Sequence, residues 1–118
     1  MRPTAVILKL AFEEARKSPV TRSKMSALAL DYNCQNVLAK AHNTRFFGQP
    51  GRWTIHAEER VLNKYRGHIP VLLICRVKQL GWGISKPCAK CASLLSRSRV
   101  GSIIYYNGSK WVYERVVK

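Results

Sequence analysis

Acidic side chains are scarce in this chain: 6 Asp and Glu stand against 21 Lys and Arg, a formal net charge of +15 over 118 residues. Such an excess has two readings, a solvated basic surface or an anionic partner, and nucleic acid is the usual anion. The basic residues are spread along the chain, with small clusters at Arg16-Lys17, Arg22-Lys24 and Arg97-Arg99, rather than gathered in a tail. Long apolar runs are missing as well. MRPTAVILKLAF starts basic and turns apolar, but Lys9 interrupts it and FEEARKS follows without a small-residue cleavage site. A run this short does not span a bilayer, and the acidic Glu13-Glu14 pair is foreign to a transit peptide. The expectation is a cytoplasmic chain without a membrane partner. A second C-x-x-C pair is also lacking, which excludes a closed four-cysteine metal site. With no export signal, the four cysteines point to metal or catalytic use in a reducing compartment rather than to disulfides. Internal repeats and low-complexity tracts are absent. The length suits one domain over residues 1–118, and an apolar fraction of 47% supports a packed core.

Periodicity predicts the elements. Val6, Ile7, Leu10, Ala11 and Phe12 recur at helical spacing within residues 4–17. MSALALDY and NVLAKAHN read as two strands of a hairpin, and TRFFGQPGRW as a loop. HAEERVLNKYRG is a second helix ending near Gly67. IPVLLICRV is a run of branched apolar residues suited to a strand covered on both faces, followed by QLGWGISK as loop or frayed strand end. PCAKCASLLSRSR is a third helix with Pro87 in its first turn. Asn107-Gly108 marks a closing hairpin within SIIYYNGSKWVYERVV. The order of helix, two strands, helix, strand, helix, two strands implies a mixed five-stranded sheet with a parallel βαβ unit, flanked by helices.

Chemistry gathers at two of the helix starts. Cys88 and Cys91 stand three apart, so both sulfurs lie on one face at a helix N-terminus, where dipole and backbone donors favour thiolates. His56 opens the preceding helix, one strand away, and a crossover can bring the two starts together. One His and two Cys make three zinc ligands, which leave a fourth position for water, as in catalytic sites. Glu58, two residues past His56, is then placed to take that water's proton.

H-A-E at residues 56–58 and P-C-A-K-C at residues 87–91 together resemble the signature of the zinc-dependent cytidine deaminase superfamily. The resemblance implies a three-layer α-β-α cytidine deaminase-like fold and Zn2+ bound by His56, Cys88 and Cys91. It implies that Glu58 shuttles protons while water converts cytosine to uracil, and that Asn43 hydrogen-bonds the sugar, with Ala57 also against the substrate. The Asn107-Gly108 turn is similar to the branch whose last two strands join directly, which holds deaminases of free nucleosides and toxin-like members. Relatives often self-associate, so a homo-oligomer is a further expectation.

For the substrate, Phe46, Phe47 and Trp53 in the loop before His56 suit base stacking or core packing, and Trp82 has the same two readings. Arg45, Arg52, Lys86 and Lys90 bracket the motif and suit phosphate or plain solvated surface. The expected substrate is cytosine in single-stranded nucleic acid or in a nucleotide. The alternatives are salvage of free cytidine, deoxycytidine or a monophosphate, and a catalytically silent nucleic-acid-binding domain.

Overall fold

The computed structural model describes residues 3–20, 23–45, 54–79 and 81–118. In chain order the elements are α1 (Ala5–Arg16), β1 (Lys24–Leu30), β2 (Val37–His42), β3 (Thr44–Arg45), β4 (Thr54–Ile55), α2 (Ala57–Lys64), β5 (Ile69–Lys78), β6 (Gly81–Gly83), α3 (Ala89–Ser96), β7 (Val100–Tyr106) and β8 (Trp111–Arg115). Five strands run in the order β2-β1-β5-β7-β8. β5 and β7 are parallel, and the other pairs along that path are antiparallel.

Alternation along β1 and β5 divides the core between two layers of helix. Leu28, Leu30, Val71, Leu73 and Cys75 face α1, where they pack with Ile7 and Ala11. Ala27, Ala29, Leu72 and Ile74 face the other way and pack with Ala57, Val61 and Leu62 of α2 and Leu95 of α3. The small side chains of β1 on that second face leave room for α2 to lie close. Thr4 starts α1 as its N-cap, its hydroxyl oxygen accepting from the Ile7 N–H at 3.2 Å. The end of α2 is held by Arg99, whose guanidinium donates to the carbonyls of Leu62, Tyr65 and Gly67. Among the described residues no helix is long and apolar enough to cross a membrane.

Four details differ from the sequence reading. A sixth strand, β6, folds back on β5 where loop or frayed strand was expected; Gly81 at φ 139 permits the return. β3, at the start of the expected loop, pairs with β4, which follows that loop. Pro87 precedes the N-cap of α3, which is Cys88, so it lies just outside the helix. The closing turn centres on Gly108-Ser109 rather than Asn107-Gly108: Asn107 N–H donates to the Lys110 carbonyl at 3.1 Å, and Gly108 takes φ 103. The Asn107 side-chain oxygen accepts from the N–H groups of Ser109 and Lys110, both at 2.9 Å, which moves the turn one residue along.

Candidate active site

Crossover through α3 places the start of that helix at the same sheet edge as the start of α2. His56 is the N-cap of α2 and Cys88 the N-cap of α3, and neither makes a side-chain capping bond. Cys91 follows one turn into α3. The donor atoms of His56, Cys88 and Cys91 lie within 4.8 Å of one another. His56 Nδ1 is 2.9 Å from Cys91 Sγ and 3.8 Å from Cys88 Sγ. Cys91 is buried, His56 half-buried and Cys88 exposed, so the cluster has a closed floor and an open side.

Glu58 lies against this floor. It is 2% exposed, and its Oε1 has no hydrogen-bond partner. Burial pushes its carboxyl above the usual range, against opposing pulls from its own backbone N–H, His56 and Cys91. The Cys91 thiol is raised too, by burial first and then by the nearby Glu58 and Cys88. The buried Cys91 and Glu58 cannot both ionise in so dry a space without a cation to compensate them. An imidazole with two soft sulfurs is a donor set for Zn2+, and the group fits that ion.

The other expected site residues are less uniform. Asn43 is buried, and its amide is engaged by the fold: Oδ1 accepts from Met25 N–H at 2.9 Å and Nδ2 donates to the Ser23 carbonyl at 2.6 Å. Ala57 is fully buried in the core beneath the cluster. Arg45 is exposed and donates to the Pro19 carbonyl at 3.3 Å. Lys86 is exposed and, with Pro87, walls a cavity of about 380 Å³ against α3 and the Val116-Val117 segment. Lys90 lies 3.8 Å from Glu59. Phe46, Phe47, Arg52 and Trp53 lie outside the described residues. Trp82 points to the α1 face, stacking edge-on against Phe12 and Trp111, so of its two readings core packing holds.

Sequence reasoning missed Ser85. Its hydroxyl donates to the Ile74 carbonyl at 2.7 Å and accepts from Tyr106 N–H at 2.9 Å, and its own N–H donates to the Tyr106 carbonyl at 2.9 Å. Three bonds thus lock the chain between β5 and β7 three residues before Cys88. A small polar residue just ahead of P-C-x-x-C was the available signal.

The arrangement defines a class: α/β metalloproteins that hold their ion at the mouths of two helices, with an open position and a buried acid beside it. The chain belongs to the family described as the cytidine and deoxycytidylate deaminase zinc-binding region, whose profile matches residues 1–107. Among solved structures it is similar to the cytidine deaminase from Burkholderia pseudomallei, with TM-score 0.68 and 14% identity over 94% of this chain and 91% of that one. Two mutant forms of the cytidine deaminase from Mycobacterium tuberculosis give TM-score 0.61 and 18% identity. One covers 90% of this chain and 84% of its own, the other 92% and 83%. At such identities the likeness is one of fold. No curated protein matches the chain in sequence.

Proposed function

We propose that the protein hydrolyses the amino group of cytosine to give uracil, with zinc held by His56, Cys88 and Cys91, on cytosine carried in single-stranded nucleic acid or in a nucleotide. The observation that carries this reading is the buried, unpartnered Glu58 Oε1 beside a three-donor cluster. A metal site serving only stability has no use for that carboxylate.

Bound there, zinc supplies a Lewis acid that lets water ionise near neutral pH. The chain's own groups do the rest. Glu58, kept basic by burial, takes a proton from the attacking water and delivers it to the ring nitrogen beside the amine-bearing carbon. As the water oxygen bonds to that carbon, Glu58 passes the second proton to the amine, the carbon–nitrogen bond breaks, and ammonia leaves. Asn43, Arg45, Lys86 and the aromatics Phe46, Phe47 and Trp53 are the proposed substrate contacts.

The formal charge of +15 and the exposed Arg45, Lys86 and Lys90 support a phosphate-bearing substrate. A second reading, salvage of free cytidine or deoxycytidine, draws on the direct antiparallel joining of β7 and β8. Parallel assays of nucleoside, monophosphate and single-stranded oligonucleotide separate the two. Glu58→Gln is expected to lower deamination about 10³-fold while zinc content is retained; undiminished activity in that variant overturns the mechanism.

A further inference from the structure

Arg76 interrupts the apolar run of β5, which ends at Lys78. Alternation puts it on the face of Leu72 and Ile74, the one that packs against Ala57 of α2, about 7 Å beyond Ile74 along the strand. Its neighbours across the sheet are Met25 on β1 and Gly83 on β6. Met25 is in turn joined to Asn43 by two hydrogen bonds. Asn43, Met25, Arg76 and Gly83 therefore form one row, the first outside the core. α2 begins at this end of the sheet, since Arg60 donates to the His42 carbonyl and Lys64 to that of Lys40. The row is thus on the His56 side.

Arg76 is half-buried, and its Nε is buried with no hydrogen-bond partner. Among the described residues the carboxylates in ion pairs are Glu14 and Glu59, and neither pairs with Arg76. A half-buried guanidinium with a buried, unpaired N–H lacks a compensating anion that a ligand can supply, and its planar fork matches a phosphate. Lys78 adds a second cation on the same face. The stems of both lie across Gly83, where a Cβ would stand 3.2 Å from Arg76 Cδ and 3.1 Å from Lys78 Cγ.

We propose that Arg76, with Lys78 beside it, receives a phosphate of the cytosine substrate, so that the site selects phosphate-bearing cytosine over the free nucleoside. This rests on the deaminase reading above.

The test uses the zinc-loaded full chain in a Glu58→Gln background, which prevents turnover. Cytidine, cytidine 5′-monophosphate and a short cytosine-containing single-stranded oligonucleotide are titrated calorimetrically against it, with and without Arg76→Gln. The exposed Lys9→Gln on α1 is the control. Arg76→Gln is expected to weaken a phosphate-bearing ligand about tenfold or more and to leave cytidine within about twofold. Weakening of the monophosphate assigns the contact to a terminal phosphate. Weakening of the oligonucleotide alone, with a salt slope reduced by about 1, assigns it to a phosphodiester.

Equal loss for all three ligands, no loss, or no binding by the chain with Arg76 intact overturns the proposal. Arg76→Met keeps the stem and removes the unpaired charge, so its Tm is expected to rise; a fall, together with equal losses, marks a purely structural arginine. Deamination is followed separately with Glu58 intact. If no substrate is converted, the deaminase reading fails while the phosphate preference is still decided by calorimetry.

Discussion

The two faces of the sheet treat their buried polar groups in opposite ways. On the α1 face the buried Glu14 and Ser26 are matched: Glu14 receives His42 Nδ1 at 2.7 Å and Lys17 at 3.2 Å, and Ser26 donates to the Ala11 carbonyl at 2.8 Å. On the α2 and α3 face stand the two unmatched atoms, Glu58 Oε1 and Arg76 Nε. Burial without a partner is a cost to folding, and both atoms belong to residues given a role in the proposed chemistry or substrate contact. The contrast separates scaffold from site more sharply than residue type does, since both faces carry a buried glutamate.

Removing a metal ligand should have the largest effect. His56→Ala is expected to abolish zinc retention and deamination, read by metal analysis and ammonia release. A chelator should lower the Tm of the native protein but not of the variant; the lost stabilisation is about 4 kcal/mol where free zinc stood at a thousandfold its Kd.

Breaking the matched face comes next. Glu14→Gln is expected to cost about 2–3 kcal/mol in denaturant unfolding while leaving kcat intact. Burial raises the Glu14 carboxyl, but hydrogen bonds and charge from His42 and Lys17 outweigh it, leaving the pKa lowered. Its contribution is therefore full above the ordinary carboxylate pKa and is lost as pH falls through the folded value, because the unfolded chain binds the proton first. The Glu58 carboxyl, raised, has the opposite sign in the metal-free protein: stability declines as pH climbs from the ordinary value through the folded one. Unfolding followed against pH should show Glu14→Gln flattening the acid limb and Glu58→Gln the limb above it.

The smallest effect is expected at the link between the faces and the metal. Ser85→Ala strips the partners from Ile74 carbonyl and Tyr106 N–H and should cost about 1–2 kcal/mol. Zinc affinity should fall with it, because the segment that delivers Cys88 loses an anchor.

Much of this was legible in the order of residues. Alternation in MSALALDY and the unbroken IPVLLICRV follow directly from strands with one helix layer on each side, and H-A-E with P-C-A-K-C carries the metal cluster. β6 was not legible, because Gly-Trp-Gly has no period of its own. It becomes a strand only when Trp82 finds Phe12 and Trp111, which are distant in the chain. The shifted closing turn was hidden for a similar reason: a side-chain acceptor, not the Asn-Gly pair, sets it. Arg76 carried no signal of its own within IPVLLICRV, because its missing partner exists only in the fold.

His56 and Cys88 each occupy an N-cap without capping their helix, a position where a hydrogen-bonding side chain is usually worth about 1 kcal/mol. An ion gripped by both would clasp the first turns of two helices that enter from different parts of the chain. Neither start could then fray without releasing the other, which would make the metal a fastening of the architecture as well as a participant in the proposed chemistry.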